Sequence, residues 1–375
     1  MEQTSTIMLI GPTPPPFHGV SVATQMLLDS AVSKQFRICH VELADRRGIH
    51  HVDKPDFHDV LLFLRQWFRL LRFLIRERPF LVYLALSQST IGFLRDSLFI
   101  WPSYMCGAKV LVHLHGGNFK GWFKTQNWFM QAYVKAVMQR VDHAIVLGEC
   151  LRNLFAGLVG QQRISVVPNG IDWPEHKSCA PAFNKTRRYR VLHLSTLNRL
   201  KGALVLIHSI PLIIKVRQDI EIVLAGPWSH IDDERDAHSF IEEHRLAEFV
   251  SFTGPITTAE HKCGLYESAD LFVFPGVQQE GQPLVVLEAM AAGLPVIFTN
   301  RGCLRETVID GETGLETACN DPQHLADRIL WSLDHPAEMK AMGVKARHRY
   351  NTLFTKDLFV LNMTQVFSRV AGEKP

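Results

Sequence analysis

The chain has 375 residues, of which 47% are hydrophobic and 21% are charged. At roughly 150 residues per domain this length predicts two domains, and the apolar content excludes disorder as the main state. The net charge of +3 is too small for a general nucleic-acid binder. No apolar run reaches the roughly 18 residues that a membrane-spanning helix needs.

The first half of the chain alternates short apolar runs with helical stretches. Six runs are predicted to be strands, and they span residues 7–10, 36–41, 81–86, 110–114, 144–147 and 164–167. Continuous apolar runs of this length, separated by helices, are typical of parallel strands that are buried on both faces. We therefore predict a doubly wound α/β domain over residues 1–172.

The second half of the chain repeats this alternation. Five further strands are predicted at residues 190–194, 220–225, 249–252, 271–274 and 295–298. They indicate a second doubly wound domain over residues 189–352. The aperiodic, proline-containing stretch 173–188 is predicted to be the linker between the domains. Residues 353–375 are predicted to form a C-terminal helix that can pack back on the first domain.

Cysteine usage and the N-terminal residues indicate the compartment. The seven cysteines are scattered and form no CxxC pair, so we expect neither a disulfide framework nor a structural zinc site. The first residues, MEQTSTIMLIGPTPPP, lack the basic region of a signal peptide. We therefore expect a cytoplasmic protein, with any membrane contact made at the inner face of the membrane.

A proline-rich loop, residues 11–19, follows the first predicted strand. It contains neither the GxGxxG pattern of dinucleotide sites nor the GK[ST] of a P-loop. It opens a helix near Gly19, and the free N–H groups of a helix start can bind a ligand. A loop that is merely stiffened by proline is the alternative.

His115 stands at the carboxyl end of a predicted strand and is followed by Gly116, Gly117 and Asn118. Ligands of open α/β sheets bind at this end of the strands, and glycines allow them to approach the backbone closely. We therefore expect His115 to belong to a site, although a lone histidine is more often structural. His113 is expected to be structural.

A basic stripe is predicted on a helix within residues 61–78. Arg65, Arg69, Arg72 and Arg76 would lie within about 60° of one another, beside aromatic and aliphatic side chains. Such a helix suits the surface of an anionic membrane. A packing helix with its arginines in solvent is the alternative.

A second cluster of aromatic residues follows His115 and is interleaved with Lys120 and Lys124. Its members are Phe119, Trp122, Phe123, Trp128 and Phe129. This cluster could receive an acceptor with a lipid tail, or it could pack against the rest of the domain.

The loop 195–202 follows the first strand of the second half and carries Arg199 and Lys201. Two cations at a turn from strand to helix predict an anion-binding site, because the helix start adds partial positive charge. A solvated loop is the alternative.

Residues 280–293, EGQPLVVLEAMAAG, predict a loop and a helix that begins at Pro283. The backbone N–H groups of Gly281, Gln282 and Leu284 could hold a phosphate. This stretch therefore indicates a second group of phosphate contacts.

Two glutamates belong to the same stretch, Glu280 in the loop and Glu288 in the helix. Because a carboxylate accepts hydrogen bonds from neighbouring hydroxyls, the pair could grip two ends of a polyhydroxylated ligand. A surface glutamate and an unrelated helix glutamate are the alternative. That alternative is weakened because a charged side chain on an otherwise apolar helix should have a partner.

These residues resemble the family 4 retaining glycosyltransferases, which have the GT-B fold of two Rossmann-like domains facing across a cleft. The resemblance spans nearly the whole chain and is carried by the E-x7-E pair Glu280 and Glu288. It is supported by the PNGID segment at 168–172, the Lys201-Gly202 pair, and the Gly302 and Glu306 positions. The EGQPL variant resembles enzymes that build bacterial exopolysaccharide, capsule or lipopolysaccharide.

The resemblance implies a role for each matching residue. Glu288 would bind the nucleotide ribose, and Glu280 and His115 would lie at the donor sugar as catalytic residues. Lys201 would neutralise the donor diphosphate, together with the backbone at Gly281, Gln282 and Leu284. The acceptor and phosphate loops would contain His18, Gly19, Gly117 and Asn118.

One position departs from the family pattern. Many members have Gly-Arg where this chain has Ser195-Thr196, and that arginine pairs with the diphosphate. Arg199 is the nearest substitute, and it is shifted by three positions.

The implied reaction transfers a sugar from a nucleotide-sugar to a glycan or a polyprenyl- or lipid-linked acceptor, with the anomeric configuration retained. No D-x-D pair occurs, so we expect no metal and no cofactor, with Lys201, Arg199 and the helix start stabilising the leaving diphosphate. Double displacement through Glu280 and a front-face mechanism both stay open. A nucleotide-sugar epimerase or a sugar phosphorylase of similar two-domain shape and a non-catalytic nucleotide-sugar-binding protein are the alternative functions.

Overall fold

The computed structural model describes residues 5–15, 18–30, 32–44, 57–174 and 188–372. The chain forms two compact units, Met1–Gly170 with Lys356–Pro375, and Ile171–Thr355. Apart from residues 173, 174 and 188, the linker predicted at 173–188 lies outside the described residues.

The first unit is built on a parallel sheet of six strands in the order β2-β1-β3-β4-β5-β6. The strands are β1 Thr6–Gly11, β2 Arg37–Glu42, β3 Leu81–Ala85, β4 Lys109–His113, β5 His143–Val146 and β6 Ile164–Val166. The helices that precede the second unit are α1 Gly19–Leu28, α2 Val32–Gln35, α3 Phe57–Glu77, α4 Thr90–Met105, α5 Phe119–Thr125 and α6 Trp128–Met138. All six predicted strands are present, and no strand end is shifted by more than one residue.

The second unit contains another parallel sheet of six strands, in the order β12-β11-β10-β7-β8-β9. The strands are β7 Tyr189–Leu194, β8 Ile220–Ala225, β9 Val250–Gly254, β10 Leu271–Phe274, β11 Val296–Thr299 and β12 Gly314–Thr317. The helices are α7 Ala203–Ile214, α8 Ile231–Glu243, α9 Ala259–Ser268, α10 Leu284–Ala291, α11 Leu304–Thr307, α12 Pro322–Asp334 and α13 Pro336–Leu353. Two parallel sheets with helices confirm the predicted fold class.

Two details of the second unit differ from the prediction. The edge strand β12 was missed, because its sequence GLET starts with glycine and contains a glutamate, so it is not a continuous apolar run. The helix α10 begins at Leu284 rather than at Pro283, because Pro283 has the extended dihedral angles φ −64° and ψ 124° of an N-cap residue.

The last helix, α14 Lys356–Ala371, returns to the first unit. Its buried residues Phe359, Met363 and Phe367 pack in one core with Tyr83 of β3 and Leu111 of β4. The rings of Tyr83 and Phe367 meet edge to face with centroids 6.0 Å apart. The C-terminal segment is therefore part of the hydrophobic core that supports the first sheet.

Among the described residues, none of the helices is both long enough and apolar enough to cross a membrane.

Candidate functional site

The carboxyl ends of β7 and β10 meet at the point where the strand order of the second sheet reverses direction. Open α/β sheets bind their ligands at such a switch point. The loop after β7 carries Lys201, and the loop after β10 carries Glu280. Lys201 Nζ donates to Glu280 Oε1 at 2.6 Å, and the side chains are 25% and 11% exposed. Two residues that are far apart in sequence thus form one charged centre.

Lys201 is held in place by its own loop. Asn198 caps a 3₁₀ turn, Arg199–Lys201, by accepting a hydrogen bond from the Lys201 N–H at 2.8 Å. Gly202 follows with a φ of 88°, and a Cβ there would lie only 2.2 Å from the carbonyl oxygen of Pro275. Glycine is required at this position for both reasons, and the close approach ties the Lys201 loop to the loop after β10.

The Glu280 loop is braced from the other side. The backbone of Gly302 approaches so closely that a Cβ would lie 1.6 Å from the carbonyl oxygen of Glu280. The N–H of Cys303 donates to the carbonyl oxygen of Gly281 at 3.0 Å. Gln278 Nε2 also donates to Glu280 Oε1, at 2.8 Å. The Glu280 residue is therefore held by contacts to the backbone of its loop and by a hydrogen bond to one carboxylate oxygen.

The predicted phosphate contacts lie at the start of α10. The Gln282 side chain is buried and donates to Thr307 Oγ1 at 3.0 Å, so only its backbone can serve a ligand. The N–H of Val286 donates to the carbonyl oxygen of Pro283 at 3.1 Å, and Leu284 lies between these two residues. Contact of a phosphate with Gly281, Gln282 and Leu284 stays a prediction.

Glu288 lies on α10 and is almost fully buried, with 10% of its side chain exposed. Its Oε1 accepts a hydrogen bond from Lys262 Nζ at 2.5 Å, and its Oε2 accepts one from the Tyr266 hydroxyl at 2.9 Å. Neither partner of this charged residue was predicted from the sequence. The spacing of four residues between Lys262 and Tyr266, which puts them on one face of α9, was the signal available.

Arg199 points to a different part of the second unit. Its guanidinium pairs with Asp233 at 2.6 Å and with Asp236 at 3.1 Å, both on α8. Burial alone would raise the pKa of Asp233, but hydrogen bonds from Arg199 bring that pKa below its usual value. Residues two apart in a 3₁₀ turn face different sides, so Arg199 and Lys201 diverge. A role for Arg199 at the diphosphate stays a prediction, and it requires these ion pairs to break.

In the first unit, His115 directly follows the carboxyl end of β4, and its ring lies against that of His113 with centroids 3.9 Å apart. His113 is buried, and its Nδ1 is 2.9 Å from the hydroxyl of Tyr83. Burial, and then the proximity of His18, lower the pKa of His115 to about 3, while the Asn169 side chain partly opposes that shift. His115 is therefore a neutral imidazole at pH 7, able to donate and accept hydrogen bonds.

His18 and Gly19 lie at the start of α1, as the loop pattern predicted. His18 Nδ1 accepts a hydrogen bond from the Ser21 N–H at 3.3 Å, and Ser21 Oγ accepts one from the His18 N–H at 3.0 Å. A Cβ at Gly19 would meet no heavy atom within 4 Å. The imidazole of His18 thus caps the helix, and there is free space next to the backbone of Gly19.

Gly117 and Asn118 follow His115 and lead into α5. The N–H of Asn118 donates to Gln88 Oε1 at 3.0 Å, and a Cβ at Gly116 would lie 2.1 Å from the Gln88 side chain. Gln88, which was not identified from the sequence, therefore positions this loop. The assignments of Gly117 and Asn118 to an acceptor or phosphate loop stay predictions.

The aromatic cluster after His115 divides into two parts. Phe119 and Trp122 are buried and pack against Phe93. Trp128 and Phe129 are exposed and stack on each other with ring centroids 3.4 Å apart. The packing interpretation therefore holds for Phe119 and Trp122 but not for Trp128 and Phe129, and Phe123 is half-buried.

Two family models match the chain. Residues 17–170 match the glycosyl transferase 4-like domain, and residues 179–349 match the glycosyl transferases group 1. Each match corresponds closely to one of the two units.

Two curated relatives are similar over part of the chain. D-inositol 3-phosphate glycosyltransferase of Paenarthrobacter aurescens is 33% identical over 48% of this chain and 46% of that relative. GDP-mannose-dependent alpha-(1-6)-phosphatidylinositol monomannoside mannosyltransferase of Mycobacterium tuberculosis is 29% identical over 66% of this chain and 68% of that relative. The matched region thus spans about half the length of the first relative.

Among solved structures, Anabaena HepE in complex with UDP matches 98% of this chain and 100% of that chain, with a TM-score of 0.77 and 18% identity. The apo form of the lipopolysaccharide outer core galactosyltransferase WaaB matches 97% of this chain and 99% of that chain, with a TM-score of 0.70 and 14% identity. At these identities the likeness establishes the fold.

Proposed function

The chain belongs to the GT-B glycosyltransferases that combine a 4-like domain with a group 1 domain, and from this premise we propose that it transfers a sugar from a nucleotide-sugar to a glycan or lipid-linked acceptor. We further propose that the anomeric configuration is retained and that the reaction serves the synthesis of a cell-surface polysaccharide. No metal or organic cofactor is required in this proposal.

The ion pair between Lys201 and Glu280 at the switch point is the observation that carries the proposal. A cation and a carboxylate side by side match the two halves of a nucleotide-sugar, because the diphosphate needs positive charge and the sugar presents hydroxyl donors. The start of α10 adds backbone N–H groups beside Glu280. Glu288 lies eight residues further along and matches the hydroxyl groups of a ribose.

The chemistry follows from charge. When the bond between sugar and diphosphate breaks, negative charge develops on the leaving oxygen, and preorganised positive groups lower that barrier. Lys201 supplies a full charge at this place, and the α10 amides supply partial charge. Glu280 would accept hydrogen bonds from the donor sugar. In this proposal Lys201 and the α10 amides stabilise the leaving group without a metal ion.

We also propose that α3 and the exposed aromatic pair dock the first unit on an anionic membrane. Arg65, Arg69, Arg72 and Arg76 are all exposed on α3. Large apolar side chains are exposed on α3, on the neighbouring α4 and at the start of α6, and they are Leu61, Leu64, Phe68, Ile75, Ile91, Leu94, Leu98, Tyr104, Met105, Trp128 and Phe129. Arginines beside exposed apolar groups are typical of an interfacial surface, which suits an enzyme with a lipid-linked acceptor.

The direct test is a thermal-shift panel of UDP-, GDP- and ADP-sugars, followed by product analysis. A donor that binds the native state raises the melting temperature by mass action, and Glu288→Ala should abolish that shift. UDP-glucose and GDP-mannose come first, because HepE has been crystallised with UDP-glucose and one relative is GDP-mannose-dependent. The active donor should then release its nucleoside diphosphate only when an acceptor is present.

Three outcomes would contradict the proposal. Conversion of the donor sugar without an acceptor would identify an epimerase instead. Loss of turnover in EDTA with recovery on adding Mg²⁺ or Mn²⁺ would show that a metal is needed. An inverted anomeric centre in the product, measured by nuclear magnetic resonance, would exclude retention.

A further inference from the structure

An ion pair in the second unit holds Glu288, the residue to which the proposed function assigns the ribose. The Lys262 ammonium contacts Oε1 and the Tyr266 hydroxyl contacts Oε2, so each carboxylate oxygen has one partner from α9. Glu288 is 10% exposed and Lys262 is 36% exposed, so the lysine occupies the more open side of the pair.

Tyr266 fixes its oxygen from the protein interior. The side chain is fully buried, and its ring packs against Trp173 and Phe272 with centroids 5.6 Å and 5.7 Å away. Burial, together with the neighbouring Glu288 charge, raises the pKa of Tyr266 well above its usual value. The hydroxyl therefore keeps its proton, which it shares between Glu288 Oε2 and the carbonyl oxygen of Val285 at 3.1 Å.

Lone-pair counting shows what remains available on Glu288. A carboxylate has about four lone-pair positions, two on each oxygen. Tyr266 and Lys262 each occupy one, on different oxygens, and together they fix the carboxylate plane. One position on each oxygen is left, and this pair matches two hydroxyls on adjacent carbon atoms.

Given the proposed function, on which this inference rests, we propose that Lys262 is a positioning residue for ribose recognition. Lys262 holds Glu288 so that its two remaining lone pairs face the 2′- and 3′-hydroxyls of the donor nucleotide. It also compensates the carboxylate charge on the side where the ligand enters. Without it, Glu288 keeps only the Tyr266 contact, can rotate toward solvent, and loses its two-hydroxyl geometry.

The inference predicts a coupling between Lys262 and the ribose hydroxyl. Wild-type protein should bind a nucleoside diphosphate at least about 10-fold more tightly than its 2′-deoxy analogue, because a hydrogen bond to a charged group is lost. In Lys262→Met the affinity for the ribonucleotide should fall by about 10-fold or more, while the affinity for the deoxynucleotide changes little. The preference should shrink to within about 2-fold.

The experiment is calorimetric titration of the full chain with UDP, 2′-deoxy-UDP, GDP and 2′-deoxy-GDP. Lys262→Arg keeps a charged donor and should retain most of the preference, so it also serves if Lys262→Met is poorly folded. Lys215→Met removes an exposed lysine after α7 and is the matched control. Circular dichroism and melting temperature report the fold of each variant.

The outcomes distinguish failure of the positioning role from failure of the proposed function. If folded Lys262→Met discriminates against the deoxynucleotide as strongly as the wild type does, the positioning role is overturned. If Lys262→Met does not fold, the positioning role is overturned when Lys262→Arg shows no preference for the ribonucleotide. A lower melting temperature with an unchanged preference would mean that the ion pair only joins α9 to α10. If the wild type binds none of the four nucleotides, the proposed function itself fails.

Discussion

Both glutamates of the E-x7-E pair have a lysine at one oxygen. Lys201 lies at Glu280 and Lys262 lies at Glu288, with distances of 2.6 Å and 2.5 Å. A carboxylate that is only about one-tenth exposed needs a neighbouring positive charge, and in each pair the lysine provides that charge in the absence of a ligand. A donor with phosphates and hydroxyls offers both members of the Lys201 pair new partners of matching charge.

Replacement of Lys201 by alanine tests its place at the diphosphate. We expect kcat for sugar transfer to fall by about 10²- to 10³-fold, because one preorganised charge partner of the leaving group is lost. The fold should be retained, since the side chain reaches Glu280 from a loop that Asn198 and Gly202 hold independently. Steady-state kinetics measure the effect, with Lys215→Ala as the control. Near-normal kcat would refute the assignment.

The buried His115 makes the first unit sensitive to acid. Its pKa is about 3 in the folded chain and about 6.5 when unfolded, so the unfolded state binds more protons between these values. The contribution of His115 is fully present above pH 6.5 and is lost as the pH falls, by at most about 1.4 kcal/mol per pH unit.

We therefore expect His115→Asn to flatten the fall of unfolding free energy between pH 6.5 and pH 5. Denaturant titrations at several pH values measure this slope. His244→Asn, at an exposed position after α8, is the control and should leave the slope unchanged. A His115→Asn slope equal to that of the wild type would show that this histidine is solvated and not buried.

Among the elements, α3 exposes cationic and apolar side chains together. It is joined to α4 by a hydrogen bond from Trp67 Nε1 to the carbonyl oxygen of Leu98 at 3.1 Å. Phe68 and Ile75 nevertheless stay largely exposed, at 62% and 70%. The ring of Phe68 meets that of Trp67 with centroids 5.6 Å apart, but this contact leaves most of Phe68 in solvent beside the arginines.

Neutralising two arginines of α3 tests the membrane proposal. Each arginine near anionic lipid contributes about 1 kcal/mol, so Arg65→Gln with Arg72→Gln should weaken binding to phosphatidylserine-containing vesicles by about 30-fold. Sedimentation measures binding, which high salt should also reduce. Lys340→Gln with Lys345→Gln, on α13, makes the same charge change as a control. Equal loss in both double variants would contradict docking through α3.

At the scale of the whole molecule, the first and last parts of the chain fold into the same unit. The helix α14 lies in the core of the first sheet, although the entire second unit separates it from α6 in sequence. Folding of the first unit therefore depends on the last residues of α14.

Phe367→Ala should destabilise the first unit by about 3–5 kcal/mol, because it removes a buried ring that packs on Tyr83. Hydrogen exchange should accelerate in peptides of the first unit, and calorimetry should show its transition at a lower temperature. Leu361→Ala, half exposed on the same helix, is the matched control and should cost much less. Similar effects of the two variants would contradict this packing role.

The two α/β units, and the places of Glu280 in a loop and Glu288 in a helix, could be predicted from local sequence. Eleven apolar runs were enough to locate eleven of the twelve strands, because strands buried on both faces must be continuously apolar. Lys201 and Glu280 were predictable because both follow a parallel strand, and the carboxyl ends of such strands meet at one sheet edge. The strand positions and the loops that follow them depend on local sequence patterns alone.

The partners of individual side chains could not be predicted, because they depend on how the helices pack in the folded chain. Local periodicity does not state which helix faces which, so Lys262 and Tyr266 could not be assigned to Glu288. The ion pairs of Arg199 with α8 were hidden for the same reason. Burial of Phe119 and exposure of Trp128 likewise depend on the neighbouring helices, because an aromatic side chain is equally apolar in either place. Contacts between distant segments are properties of the folded chain.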